Sequence, residues 1–218
     1  MREAGRRAEL IVIDGASDPA TARLLEHRIS NAVTISEPDD GVYDAMNKGK
    51  AVASGRYIWF LNGGDEALVG WDELDPLLQS SSQVLLGGFE LAGPDSSRVR
   101  RSRRPMSMWH ALPTSHQAIL YPAREVQELS YRTDYQVVAD YAFTAELYAH
   151  GVEFTRESLV IARFHLEGLS TQQSHLIGPE ANRVQRDILH IGFPLRAVSR
   201  LRHSLSRRYR QVLLRRAS

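Results

Sequence analysis

Between residues 36 and 66 the sequence contains two acidic turns, one before a predicted helix and one after a predicted strand. The turn at 37–40 precedes a helical pattern over 42–53, and a hydrophobic strand over 56–61 precedes the turn Asn62-Gly63-Gly64-Asp65. Alternating strands and helices are typical of βαβ units, whose strands form a parallel sheet. The order of these elements therefore predicts an α/β fold.

Each strand predicted in the first third of the chain ends in an acidic turn. The strands at 10–13, 32–35 and 56–61 are followed, in that order, by Asp14, by the turn at 37–40 and by the turn that contains Asp65. Ligands of open α/β sheets bind outside the carboxyl ends of the strands. We therefore expect a ligand site at this rim of the sheet.

The rest of the chain continues the pattern. We predict helices at 72–79 and 137–150, strands at 83–91 and 152–162, and a basic surface loop or hairpin at 93–105. The turn after Asp14 leads into a helix start at Pro19. Gly87 and Gly88, inside a strand, indicate a bulge or a close approach of another segment.

Composition limits the kinds of site that the chain can build. With 218 residues, 43% of them hydrophobic, it can bury one ordinary core, so we expect one domain over 1–171 and an appendage over 172–218. The absence of cysteine excludes disulfides, thiolate nucleophiles and cysteine-bound zinc. No apolar run approaches the roughly 20 residues of a membrane-spanning helix, and residues 1–9 are charged. We expect a cytoplasmic protein, free or peripheral on the inner face of the membrane.

The segment from residue 172 to Ser218 has a basic helical pattern. Eight arginines follow Asp187, the last acidic residue, whereas the net charge of the whole chain is only +1, so the body is acidic. Apolar residues recur between these arginines at spacings of three and four. The segment fits either a helix docked on the body with solvated arginines or a helix on an anionic membrane surface. Nucleic-acid binding is disfavoured because the segment lacks interleaved aromatic residues.

The turn at 62–65 has the composition of a phosphate and metal site. Gly63 and Gly64 would let the backbone approach a diphosphate closely, and Asp65 could hold a divalent cation together with phosphate oxygens. Taken alone, this short motif is more typical of a solvated turn at the end of a strand, and the preceding segment shifts the balance toward a phosphate and metal site.

Taken in order along the chain, the motifs resemble those of the family-2 glycosyltransferases of GT-A fold, in particular the bacterial branch related to colanic acid and other cell-surface polysaccharide or glycolipid transferases. The resemblance spans about residues 9–171 and implies a mixed α/β sheet flanked by helices, followed by the basic helical segment. It rests on the segments 13–18, 40–49, 53–55, 60–65, 115–121, 139–141 and 168–171.

The resemblance implies roles for the polar residues of the donor side. Asp14 would contact the nucleotide base or ribose, and Asp40 and Asn47 would lie beside the same pocket. Asn62 and Asp65 would bind the donor, with Asp65 as the ligand of Mg²⁺ or Mn²⁺ and of the diphosphate.

It also implies roles on the acceptor side. Asp140 matches the general base of inverting members, which deprotonates the acceptor hydroxyl. His116 and Gln117 would border the acceptor cleft. His165 would be a further metal or phosphate ligand, although a lone histidine is more often structural.

Two features depart from the family pattern. Members normally begin with a strand and helix before the segment at 13–18, whereas eight residues precede Glu9, so we expect an unpaired sheet edge and an open base pocket. In the metal motif, Asn62 and Gly64 occupy the usual acidic positions and leave Asp65.

These observations favour a metal-assisted, inverting glycosyltransferase that uses a UDP-, GDP- or dTDP-sugar and a lipid-linked, glycolipid or polysaccharide acceptor. Two alternatives stay open: a non-catalytic or truncated relative, and a peripheral membrane adaptor acting through the basic segment. The expected open sheet edge would also allow homo-oligomers to form.

Overall fold

The computed structural model describes residues 8–18, 20, 21, 23, 25, 32–93, 97–165 and 173–217. The strands are β1 (Ile11–Asp14), β2 (Val33–Ser36), β3 (Tyr57–Trp59), β4 (Glu66–Ala67), β5 (Val84–Ala92), β6 (Ser97–Arg100), β7 (Ile119–Pro122) and β8 (Phe154–His165). The helices are α1 (Val42–Val52), α2 (Trp71–Ser80), α3 (Ala123–Val126), α4 (Ala139–Ala149), α5 (Ser174–Asp187) and α6 (Phe193–Ala217). Single 3₁₀ turns form at Pro105–Trp109 and His116–Ala118.

The helices and strands predicted from the sequence pattern are confirmed to within three residues at each end wherever they fall on described residues. The predicted basic loop or hairpin is a hairpin, since β6 pairs antiparallel with β5. The predicted helix start at Pro19, the motif at 168–171 and the boundary between 171 and 172 lie outside the described residues.

The main sheet is mixed, which corrects the parallel sheet expected from alternation alone. Its strand order is β3-β7-β5-β8-β4, with β6 added to β5. Within it only β5 and β8 pair in parallel, while β3 with β7, β7 with β5 and β4 with β8 are antiparallel. Of the antiparallel pairs, only β5 and β6 are joined by a short hairpin, and the others are separated in sequence by further elements.

β1 and β2 form a separate parallel pair. On its other side β1 faces β3 across an apolar cleft of about 320 Å³, and no ladder joins these two strands in the described part of the chain. The Glu9 carboxylate bridges the start of both strands by accepting the backbone N–H groups of Ser54 and Gly55, at 2.6 and 2.8 Å. The expected unpaired edge stays a prediction, because residues 1–7 lie outside the described part of the chain.

The main sheet separates two apolar layers. Because side chains alternate along a strand, Val84 and Leu86 of β5 point into the layer that contains α1, α4 and α5, whereas Leu85 points into the layer under α2. Gly87 fits against Ile161, and a Cβ atom added at Gly87 would lie 2.8 Å from two carbons of that side chain. The β5–β8 register shifts at this place, as expected for the Gly87-Gly88 pair.

α5 belongs to the body of the protein, because Ala181 and Val184 are part of the main core. α6 is fastened to the body through Ser199, which is 1% exposed. The Ser199 hydroxyl lies 2.7 Å from Nδ1 of His110 and accepts a hydrogen bond from Gln185 of α5 at 2.8 Å. Among the described residues no helix is both long and apolar enough to span a bilayer.

Candidate active site

A cleft of about 730 Å³ lies at the carboxyl ends of β3 and β8. The turn at 62–65, the segment 112–117, the start of α1, the start of α4 and the end of β8 all contribute to its walls. Six of the predicted site residues line it together: Asn62, Asp65, His116, Gln117, Asp140 and His165.

Asp65 is held by the tight turn that follows β3. Its backbone N–H donates to the Asn62 carbonyl at 3.0 Å, its carboxylate accepts the Asn62 N–H at 3.3 Å, and Gly64 takes a φ of 92° that side chains rarely adopt. Burial raises the pKa of Asp65, while hydrogen bonds from Gln117 and Asn62 and the nearby His165 oppose that rise. A half-buried carboxylate thus faces the cleft with few cationic neighbours.

His165, the last residue of β8, lines the same cleft and helps to lower the pKa of Asp65. Its Nε2 atom lies 3.3 Å from Glu66, which also pairs with Arg163 at 2.8 Å. In the described part of the chain no group of three or more histidine and acidic side chains is arranged to hold a metal ion. Asp65 and His165 nevertheless suit Mg²⁺ or Mn²⁺, since such ions take one or two protein ligands and complete their shell with substrate phosphates.

Asp140 faces the same cleft from the first turn of α4. Burial raises its pKa to about 6, although its carboxylate accepts the N–H of Tyr141 at 2.8 Å and the hydroxyl of Tyr43. The negative charge of Glu180 also contributes to the rise. A carboxylate with this pKa is ionised at neutral pH and is a stronger base than an exposed aspartate.

Glu180 of α5 shapes the loop that leads into Asp140. Its carboxylate accepts three consecutive backbone N–H groups, those of Gln136 at 2.9 Å, Val137 at 3.0 Å and Val138 at 3.3 Å. These bonds fix the backbone immediately before α4, so the direction of the Asp140 side chain depends on a residue 40 positions further along the chain.

The wall behind the cleft is a buried polar and aromatic cluster. Nε2 of His116 lies 2.7 Å from the Tyr131 hydroxyl, and the Tyr131 ring stacks on Phe143 with centroids 4.2 Å apart. Complete burial lowers the pKa of His116 to about 4, so its ring is neutral. Asn47 holds the Tyr131 backbone by accepting its N–H at 2.7 Å and donating to its carbonyl at 2.9 Å.

These contacts refine several predicted roles. Both ends of the Asn47 amide are engaged by Tyr131, and Asn47 does not line the cleft, so the structure gives it a positioning contact instead of a free amide. Gln117, predicted on the acceptor side, donates to Asp65, the predicted diphosphate ligand. His116 lines the cleft but its Nε2 atom is already used.

Asp14 and Asp40 lie at the same rim but outside the lining of the cleft. Asp14 is 7% exposed, accepts the Ser36 hydroxyl at 2.7 Å and the Ser17 N–H at 3.2 Å, and these bonds lower its pKa. The loops after β1 and β2 meet where Gly15 approaches Asp39, because a Cβ at Gly15 would lie 2.5 Å from the Asp39 carboxylate. Asp40 is exposed in the second of these loops.

Sequence reasoning missed Tyr43, Tyr131 and Glu180. Tyr43 precedes Asp140 by 97 positions and Glu180 follows it by 40. No spacing rule connects residues so far apart. Tyr43 is adjacent to the acidic turn at 37–40, and this adjacency is the only local signal for it.

No protein-family model matches the chain. An uncharacterised glycosyltransferase of Mycobacterium tuberculosis is 34% identical over 151 residues, which are 63% of this chain and 56% of the relative. A PGL/p-HBAD biosynthesis glycosyltransferase of Mycobacterium bovis is 27% identical over 181 residues, 74% of this chain and 67% of the relative. The chain thus spans little more than half the length of the first of these relatives.

Two solved structures have a fold similar to that of this chain. Residues 1–349 of TarS from S. aureus, in complex with UDP-GlcNAc, superpose with a TM-score of 0.61 at 15% identity, over 83% of this chain and 56% of that one. The mannosyltransferase PcManGT from Pyrobaculum calidifontis, in complex with GDP-Man and Mn²⁺, gives a TM-score of 0.56 at 12% identity, over 91% and 65% of the two chains. The colanic acid branch stays a prediction. By sequence the chain is similar to proteins named glycosyltransferases, and its fold is similar to that of two solved glycosyltransferases.

Proposed function

We propose that this protein transfers a sugar from a nucleoside diphosphate donor to a hydroxyl group of a lipid-linked, glycolipid or polysaccharide acceptor. The observation that carries the proposal is that Asp65 and Asp140 line one cleft of about 730 Å³ while each keeps a distinct environment. The donors named for the structural neighbours, UDP-GlcNAc and GDP-Man, support a nucleotide sugar as the donor class.

Asp140 would act as the general base. With a pKa of about 6, it can take a proton from the acceptor hydroxyl as that oxygen attacks the anomeric carbon. Tyr43 donates to the carboxylate and keeps it oriented, and Glu180 fixes the backbone before it. Attack from the face opposite the leaving diphosphate would invert the anomeric centre, as the family resemblance implies.

Asp65 would act on the donor side, with Gln117 holding its carboxylate. Asp65 and His165 are the residues that would hold Mg²⁺ or Mn²⁺, and the Mn²⁺ in the PcManGT complex supports this choice of cofactor. When bound, the cation would neutralise charge on the leaving diphosphate. Asn62, Gly63 and Gly64 present backbone to the same part of the cleft.

The test is a calorimetric titration of the whole chain with UDP, GDP and dTDP, with and without Mn²⁺. Metal-dependent binding of one nucleotide that Asp65→Asn removes and Glu128→Gln leaves intact would support the donor site. Glu128 is an exposed carboxylate outside the cleft and serves as the matched control. No binding of any nucleotide by the folded protein would contradict the proposal and favour a non-catalytic relative.

A further inference from the structure

The outward surface of α6 carries a stripe of uncovered aliphatic side chains. Val198, Leu201 and Leu205 are 49%, 60% and 56% exposed. They are separated by three and four residues, so they lie on one face of the helix, and the Arg202 side chain follows the same face. Ser199, which is 1% exposed, lies about 100° around the helix axis from Val198 and faces the body.

The charge that α6 contributes beside this stripe is positive. No acidic residue follows Asp187 in the sequence, and Arg202 is exposed beside the aliphatic side chains. Arg103 adds to the same surface, because Arg202 lies close to it. Burial lowers the pKa of the Arg103 guanidinium, and the charge of Arg202 lowers it further. Arg202 also lies 5.8 Å from the Trp109 ring, on the 3₁₀ turn where Met106 is 64% exposed.

We propose that this surface, formed by Val198, Leu201, Arg202 and Leu205 of α6 together with Arg103 and Met106, docks on an anionic lipid bilayer. The aliphatic side chains would enter the region between headgroups and acyl chains, and the arginines would remain at the lipid phosphates. This docking stands on the surface itself and does not depend on the proposed sugar transfer.

The charge of this surface favours an anionic bilayer over a second copy of the chain and over nucleic acid. A second copy placed on the same surface would bring arginines against arginines, which opposes association. Nucleic acid would satisfy the arginines but would offer no apolar medium for two leucines and a valine, and unspecific nucleic-acid sites use aromatic side chains for stacking. An anionic bilayer satisfies both features at once.

The docked surface would adjoin the active-site cleft. The Arg103 guanidinium donates to the carbonyl of Leu112, and Leu112 and Thr114 line the cleft that contains Asp140. The segment between α6 and the cleft is therefore short, and an acceptor held in the bilayer would reach the cleft from this side.

Flotation of the full chain with vesicles tests the docking. Vesicles of phosphatidylcholine with about 30% phosphatidylglycerol are compared with vesicles of phosphatidylcholine alone. Arg103→Gln with Arg202→Gln should weaken binding to the anionic vesicles about 25-fold, since each arginine near such a surface contributes about fivefold. Leu201→Gln with Leu205→Gln should weaken it at least as much at unchanged salt.

The matched control is Arg124→Gln with Arg186→Gln, which removes the same charge from exposed sites on α3 and α5 and should change binding less than twofold. Circular dichroism of each variant shows whether it is folded. Equal binding to both vesicle types, equal losses in the control, or a dimer that the leucine changes dissociate would overturn the proposal. Tighter binding to a DNA duplex than to anionic vesicles, unaffected by the leucine changes, would also overturn it.

Discussion

Replacing Asp140 by asparagine should stabilise the fold while it removes the proposed activity. Burial raises the pKa of Asp140 from 3.8 to about 6, so above pH 6 the folded protein carries a carboxylate that is better solvated in the unfolded chain. One pKa unit corresponds to about 1.4 kcal/mol, so the shift of roughly two units sets an upper bound of about 3 kcal/mol. Asparagine keeps an oxygen that can accept the Tyr141 N–H and carries no charge.

The sign of the pH dependence follows from the raised pKa. Below pH 3.8 the carboxyl group is protonated in both the folded and the unfolded protein, so wild type and Asp140→Asn should be equally stable. Between pH 4 and 6 the unfolded wild type ionises first, and wild type should lose stability relative to the variant. Above pH 6 the difference should stay constant.

Thermal unfolding followed by circular dichroism at pH 4 and pH 8 measures this difference. For a chain of this length about 3 kcal/mol corresponds to an increase of at most about 6 to 12 °C in melting temperature at pH 8. Asp134→Asn is the control of opposite sign, because Arg132 lowers the pKa of Asp134 and its charge therefore favours the folded state. An Asp140→Asn variant that melts at or below wild type at pH 8 would refute the desolvation argument.

Three further outcomes follow from the contacts of the site and core. As the pH is lowered, the transfer rate should fall with an apparent pKa of about 6, because Asp140 becomes protonated. Tyr43→Phe removes a hydrogen bond to the Asp140 carboxylate and should move this fall to higher pH. A pH–rate profile of each protein measures both effects. Gly87→Ala should cost about 1–3 kcal/mol in urea denaturation, because the new methyl group meets Ile161, and Ile161→Val should recover part of the loss; equal losses with and without Ile161→Val would contradict this packing. Asn47→Ala should cost about 2–4 kcal/mol in the same assay, since two backbone groups lose their partner, and a neutral effect would show that water replaces it.

The sequence predicted well those helices and strands that are determined by local residue patterns. Alternating apolar residues and turn residues placed β5, α1 and α4 to within a few positions. The convergence of Asp65 and Asp140 was implied by the ordered motifs, and both line one cleft. The mixed sheet implied by the resemblance is confirmed, whereas the alternation alone predicted parallel pairing for β3, because an apolar run has the same appearance in a parallel and an antiparallel neighbour.

Contacts across long sequence separations could not be read from the pattern. The Asn47 amide pairs with the backbone of Tyr131, 84 positions away, and the Glu180 carboxylate caps the backbone before Asp140. Each of these side chains has the local signature of an ordinary helix residue. The contact of Gln117 with Asp65 arises in the same way, from the pairing of β3 with β7, which brings their flanking segments together.

The cleft between β1 and β3 implies that resistance to local opening is uneven along the chain. The amide groups of β5 sit between β7 and β8 in a buried ladder, so their exchange with solvent deuterium requires the whole sheet to separate. In the described part of the chain, β1 and β2 share a four-residue ladder with each other alone and are held to the body by apolar contacts with α1 and by the Glu9 carboxylate. We therefore expect the strands that carry Asp14 and lead to Asp40 to open before β5, and a nucleotide bound there would be detected as slowed exchange in those two strands.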